Sequence, residues 1–393
     1  MAIFDFLKQN KPSIVVADEA ISFGRNDNSS GLNSHNEIRT SKWISFGDTN
    51  QFPNYLNNLV NSSGLHSAII DYKKSLISGS GYEILGDAVL TPMQKVELKQ
   101  FTDLIDGKRN LASLIQDITL DYLVHGTVYL KIYWNSDKTR ILKAERIEPS
   151  RLRSGYNKLN PEVITEYYYS LDWSNYGQWG VTKFPAFNKE VSERKPIEIY
   201  RWMVPNSAML FNTLPSYTAA TNWIQLDGEV SNYHKSNIEN SLNPGVIIKF
   251  YKTPANDEEK RGIVNGIKKN YAGSSNTGKA MVFFSSDKET APDIEPIEVS
   301  NIDKQFSVTA DSIQRNICYA HRINPSLMGL KTPGSLGSST ELETSFDIFK
   351  EVVVTPSQYD IENIINKFIT MNGLPVKIKL NDADLIYSTK ITE

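Results

Sequence analysis

The segment from Asn301 to Met371 constrains this chain most, because two long helical patterns there flank a loop rich in glycine, serine and proline. In the first pattern Ile302, Phe306, Ala310, Ile313, Ile317 and Ala320 recur at spacings of three and four, which puts them on one helix face. It stops near Ile323-Asn324-Pro325, since proline disfavours helical geometry in the residue before it. The second pattern begins at Ser338, where Ser338-Ser339-Thr340-Glu341 has capping-box spacing. It carries an apolar stripe of Leu342, Phe346, Phe349 and Val353 and an acidic stripe of Glu343, Asp347 and Glu351. Val352-Val353-Val354-Thr355-Pro356 interrupts a pattern that resumes with Ile361, Ile364, Ile365 and Phe368, which predicts a kink at Pro356 rather than an end. At about 1.5 Å per residue the kinked helix is on the order of 45 Å long. A helix of that length is hard to bury in a compact monomer and points to a subunit that packs sideways against copies of itself.

The rest of the 393-residue chain is ordinary for a globular protein, with 40% hydrophobic and 22% charged residues, enough for two or three domains. Met1 to Lys8 lacks the apolar run of a secretory signal, and no stretch is apolar over the roughly 18 residues of a membrane span, so a cytosolic product is expected. The single cysteine, Cys318, excludes an intrachain disulfide and a cysteine-based zinc site, and its place beside Ile317 reads as core. A formal net charge of -3 argues against tight nonspecific grip on nucleic acid, which needs an excess of cations to neutralise phosphates. It leaves room for a protein that surrounds DNA without holding it. Positive charge is concentrated at Lys249, Lys252, Lys260, Arg261, Lys268 and Lys269.

Taken in order, residues 1–43 are polar and aperiodic, which reads as a flexible arm. Pro53 opens a helix bearing Leu56, Leu59 and Val60, a second helix spans Leu65 to Leu76, and after a linker Leu111 to Tyr122 forms a third that His125-Gly126 stops. Four strands follow, Thr127–Trp134, Ile141–Ile147, Ile164–Leu171 and Ile197–Trp202, the first two pairing as a hairpin. Together these make an α+β domain ending near Leu214. A helix from Tyr217 to Leu242 leads into a βαβ-like insert, with strand Val246–Tyr251, helix Asp257–Asn270, and strands Ala280–Phe284 and Ile294–Val299. The chain closes with a short strand, Val376–Leu380.

Gly273-Ser274-Ser275-Asn276-Thr277-Gly278-Lys279-Ala280 has the spacing of a phosphate-binding loop. Ala280 stands where a magnesium-binding hydroxyl is needed, and the context is helix, loop, strand instead of strand, loop, helix, so a simple turn is the better reading. The five histidines, His35, His66, His125, His234 and His321, show no metal-binding spacing and no nucleophile motif. Asp382 and Asp384 are too few for a calcium loop. Tyr167-Tyr168-Tyr169 could stack on bases, but in a strand it packs alternately inward and outward. No catalytic residue, cofactor or metal is expected. The acidic stripe reads either as a solvated helix face or, repeated around a ring, as a negative collar that repels phosphate and lets DNA slide.

In their order and spacing several segments resemble the portal proteins of tailed bacteriophages. They are Gly47 to Pro53 with Ser78 to Tyr82, Asp121 to Tyr129, Asn243 to Ile248, the Gly273 to Lys279 turn, and Ile323 to Gly329 followed by Ser338 to Pro356. The resemblance implies a portal fold: an α+β wing over 44–214, stem helices over 215–242 and 301–322 bracketing a small α/β clip over 243–300, a tunnel-loop region over 323–339, a long kinked wing helix over 340–372 and a short C-terminal segment over 373–393. It implies a ring, usually of twelve subunits, at the unique capsid vertex, through which double-stranded DNA is packaged and ejected. Lys331, Thr332, Pro333, Gly334, Ser335, Leu336, Gly337 and Ser338 would line the channel as the tunnel loop, with Glu343, Asp347 and Glu351 beside them. The basic residues Lys249 to Lys269 would lie in the clip, where the terminase large subunit and then the head-tail adaptor dock, and the major capsid protein would surround the ring. The protein would sit in the virion, and in the host cytoplasm during assembly, with no membrane and no enzymatic activity of its own. The alternative is a nucleotide-hydrolysing ring enzyme using residues 273–280.

Overall fold

A computed structural model describes residues 34–239, 246–250, 258, 261–262, 280–284, 302–330 and 339–383. In chain order β1 (Glu37–Arg39) and β2 (Ile44–Phe46) precede helices α1 (Phe52–Ser62) and α2 (Gly64–Ser78), strand β3 (Tyr82–Leu85), and helices α3 (Pro92–Asp103) and α4 (Leu111–His125). Strands β4 (Thr127–Trp134), β5 (Ile141–Ile147), β6 (Leu152–Tyr156) and β7 (Ile164–Tyr169), a single turn α5 (Tyr176–Trp179), and strands β8 (Thr182–Pro185) and β9 (Ile197–Met203) follow. Then come α6 (Thr221–Glu239), β10 (Val246–Phe250), β11 (Ala280–Phe284), α7 (Ile302–Ala320), α8 (Ser339–Phe349), a π-helical stretch at Lys350–Val354, α9 (Thr355–Met371) and β12 (Lys377–Leu380). The mixed α+β class matches the expectation. The chain divides into two compact units, one of residues 1–58, 72–216 and 354–393, the other of 59–71 and 217–353.

The first unit is built on antiparallel sheets. The predicted hairpin β4–β5 forms, and β9 adds to the other side of β4, giving the order β5-β4-β9. Alternation along β4 buries Val128, Leu130 and Ile132 against α4, whose apolar positions Leu111, Leu114, Ile115 and Ile118 are buried in turn. Gly126 ends α4 at φ 68°, a left-handed conformation in which a Cβ would meet the Leu214 carbonyl, so His125-Gly126 stops the helix as predicted. A second sheet, β6-β7-β8, packs through Leu152 and Tyr167 onto Tyr129 and Ile199 of the first. In β7 only Tyr167 is fully buried, which fits packing and not a base-stacking platform. The last strand, β12, pairs with β3 in the register Ile378↔Ile84 and lies on α9.

Several elements depart from the sequence expectation. The polar arm was expected to run through residue 43, but β1 pairs with β2, and the Glu37 carboxylate accepts hydrogen bonds from the backbone N–H groups of Leu210, Phe211 and Asn212. Ordered backbone therefore begins before Trp43. What read as a linker before Leu111 holds β3 and α3, the latter opened by a capping box in which Thr91 Oγ1 accepts from the Gln94 N–H and Gln94 Oε1 accepts from the Thr91 N–H. Strands β6 and β8 were also unforeseen. At Pro356 the backbone widens into the π-helical turn Lys350–Val354, with the proline in the first turn of α9. Proline lacks an N–H and its ring presses on the carbonyl four residues back, and a wider turn relieves both.

In the second unit α6 and α7 pack against each other, and α7 buries Ile313, Ile317 and Cys318. Burial pushes the Cys318 thiol up to about 11, in keeping with a core role. Strands β10 and β11 pair in parallel, as a βαβ unit requires, and Glu258, Arg261 and Gly262 between them are helical. The remainder of that expected helix, the strand Ile294–Val299 and the turn Gly273 to Lys279 lie outside the described residues.

Candidate functional site

Helix α7 ends on Ala320, and Arg322 then takes a positive φ of 57°. Asn324 starts a 3-10 turn over Pro325–Met328, its Oδ1 accepting from the Ser326 N–H at 3.1 Å. Gly329 closes that turn at φ 72°, and Asn324 Nδ2 reaches forward to Ser345 Oγ at 2.9 Å on α8. This side-chain bridge joins the 3-10 turn to α8. The loop residues Lys331 to Ser338, and with them the Ser338 capping box, lie outside the described residues. So do Lys252, Lys260, Lys268 and Lys269; Lys249 is in β10, and Arg261 is exposed on a helical turn.

On α8 and the π-helical turn the sequence periodicity becomes geometry. Of the expected apolar stripe Phe346 and Phe349 are buried while Leu342 and Val353 are only half-buried, the π-helical turn burying Val354 instead, whereas Glu343, Asp347 and Glu351 are all exposed. The stripe thus faces solvent in a single protomer, with no ion pair recorded to any of the three among the described residues. Next to it Thr344, Ile348 and Val352 form a second exposed stripe, Ile348 at 60% and Val352 at 53%.

Sequence spacing gave no sign of a buried polar cluster in this unit. His66 Nδ1 and His321 Nε2 lie 2.8 Å apart although 255 residues separate them in sequence. The Tyr217 ring stacks on His321 and meets His66 edge-on, and all three side chains are buried. Nearby, Ser63 Oγ donates to Asp227 Oδ2 at 2.7 Å and accepts from the His66 N–H. Because one imidazole must accept from the other, at least one is neutral. No group of three or more metal-ligating side chains occurs among the described residues. The arrangement ties the start of α2 to α6 and the segment that leads into it, and to the end of α7.

The first unit holds a second buried polar cluster. Arg146 Nε and Nη2 donate to the Asp121 carboxylate at 2.6 Å each, a forked pair on a carboxylate with almost no exposure. Arg153 is buried and donates to the Asn50 side chain and carbonyl and to the Ser150 and Leu152 carbonyls, over the Trp173 ring. Burial pulls its guanidinium down to about 9. His125, one turn from Asp121, is driven down to about 3 by burial, then by Arg146 and Arg153. A small cleft lined by His125, Tyr129, Arg201 and Thr213 opens here. Arg201 is occupied by the Phe211 carbonyl, Thr213 Oγ1 donates to the Val204 carbonyl, and Thr127 Oγ1 donates to the Trp202 carbonyl.

Among the described residues the second unit combines an exposed acidic helix face with a helix pair that carries a small parallel strand pair, and both units hold buried polar clusters. A family profile described as phage portal protein matches residues 107–390, and the chain belongs to that family. Among solved structures, it is similar to a chain in the neck of an empty gene transfer agent particle computed with C6 symmetry, at 14% identity and a TM-score of 0.54. That match covers 82% of this chain and 81% of the other. A chain in the neck of the native particle, computed with C12 symmetry, matches at 12% identity and TM-score 0.51 over 89% and 87%. A portal protein of the HK97 phage family from Corynebacterium diphtheriae aligns at 11% identity and TM-score 0.43 over 82% and 93%. No curated protein matches the chain.

Proposed function

We propose that this portal protein forms a closed ring, of twelve subunits, at one capsid vertex and serves as a passive conduit for double-stranded DNA. The match to the portal family over residues 107–390 carries this reading, and the C12 symmetry of a neck particle of similar fold supports the subunit number. In it α6 and α7 are stem helices that bracket the β10–β11 clip, and the basic residues Lys249, Lys252, Lys260, Arg261, Lys268 and Lys269 offer the clip to the terminase large subunit and the head-tail adaptor. The loop Lys331 to Ser338 lines the channel, and the exposed Glu343, Asp347 and Glu351 form a collar whose repulsion of phosphate keeps DNA from sticking. The energy of packaging comes from the partner, and the ring hydrolyses nothing. Negative-stain electron microscopy with solution mass tests this: rings with a hole about as wide as duplex DNA are expected, and a strictly monomeric protein that binds ATP would overturn it.

A further inference from the structure

The two edges of the β3–β12 sheet differ. The register sets Lys377 against Leu85 and Lys379 against Glu83, and Asn381 continues the ladder, its N–H donating to the Gly81 carbonyl at 3.0 Å. Backbone groups alternate in direction along a strand, so those of Ile378 and Leu380 turn away from β3. Side chains of α9 meet them there. Asn366 Oδ1 accepts from the Ile378 N–H at 2.7 Å, Asn366 Nδ2 donates to the Ile378 carbonyl at 3.0 Å, and Glu362 Oε1 accepts from the Leu380 N–H at 2.7 Å. Strand β5 is closed in the same manner, with Asn372 bonding both backbone groups of Ile141. By the same alternation the N–H and C=O groups of Tyr82 and Ile84 point to the far edge of β3, where no described residue bonds them.

An edge with free backbone groups is a template for one more strand. The chain itself carries a segment suited to it. Asn381 Nδ2 donates to the Ser80 carbonyl at 2.8 Å, so the chain leaves β12 beside the residues that lead into β3. Reaching the far edge means passing two strand spacings, about 10 Å. The four residues from Asn381 to Leu385 span up to about 14 Å, which is enough. Gly81 stands at the crossing point, at φ 78° and with no side chain to block the passage. The next segment, Leu385 to Ile391, lies outside the described residues, and its sequence is rich in strand formers. Period two places Leu385, Tyr387 and Ile391 on one side and Ile386, Ser388 and Lys390 on the other. We infer that Leu385 to Ile391 adds to the far edge of β3 of the same chain as a third strand, parallel to β3. Leu385 and Tyr387 then join the half-buried Tyr82 and Ile84 on the inner face, where Ile378 and Leu380 are buried, and Ile386 and Lys390 share the outer face with Leu85 and Glu83.

The test is hydrogen–deuterium exchange, read by mass spectrometry, on the full chain and on a chain stopped after Ala383. In the full chain the amides of Tyr82 and Ile84 should exchange about tenfold or more slowly than in the shortened one, and Leu385 to Ile391 should itself be protected. A synthetic peptide of residues 384–393 added to the shortened chain should restore the protection. If the shortened chain melts below the full one, Ile386→Pro with Tyr387→Pro in the full chain replaces it, because proline removes a ladder donor whichever residue faces β3. Equal exchange at β3 with and without the segment overturns the inference. So does protection that vanishes when the protein is diluted to single chains, since the strand then comes from a neighbour.

Discussion

At the level of single residues the buried ionisable groups of the first unit set the response to acid. His125 is held at about 3 inside the fold, chiefly by burial, against an ordinary value near 6.5. Below about pH 6.5 the unfolded chain takes up a proton that the folded chain refuses. The stability due to this group is therefore complete above that pH and falls by up to about 1.4 kcal/mol per pH unit until pH approaches 3. Urea unfolding at pH 7.5 and pH 5 should show wild type losing about 2 kcal/mol more than His125→Gln between the two conditions. Asp121 and Arg146 behave differently, because the arginine compensates a carboxylate with almost no solvent exposure. Arg146→Met should cost about 3–5 kcal/mol in the same assay, and adding Asp121→Leu should recover part of it, since no unpaired charge is then left inside.

Among the elements, those whose signal is local were legible and those that depend on a distant partner were not. The hairpin β4–β5, the helix stop at Gly126 and the acidic stripe all follow from periodicity or turn chemistry within a few residues. Strand β6 escaped notice because Leu152-Arg153-Ser154-Gly155 does not alternate. Its first four residues are buried, and Arg153 among them is satisfied by Asn50, far off in sequence, which accepts from the guanidinium. Strand β3 shows only a short alternation, and what makes it a strand is β12. The His66–His321 contact is likewise invisible to spacing rules. The β3–β12 pair is testable: Ile378 is 2% exposed, so Ile378→Ala should destabilise the protein by about 2–5 kcal/mol, read from the denaturant midpoint at unchanged slope. In the second unit, Glu343→Gln, Asp347→Asn and Glu351→Gln together should leave the melting temperature within a few degrees of wild type, because none of the three is buried or ion-paired among the described residues. Particles carrying them should package DNA more slowly or eject it incompletely, as measured by packaged genome length.

For the whole molecule, the chain crosses between the two units four times. The second unit takes residues 59–71 from the middle of two helices, and the first takes back everything from Val354 onward. The Asn381 amide donates to the Ser80 carbonyl across 301 residues of chain, next to the β3–β12 pair. During synthesis β3 therefore leaves the ribosome long before its partner exists, and its unpaired edge, with Ile84, waits while the whole second unit is made. A chain stalled or cleaved before residue 377 would carry an open strand edge that could recruit other incomplete chains. A chain cut before Lys377 should therefore aggregate where the full-length one stays dispersed, because β12 is what covers that edge of β3.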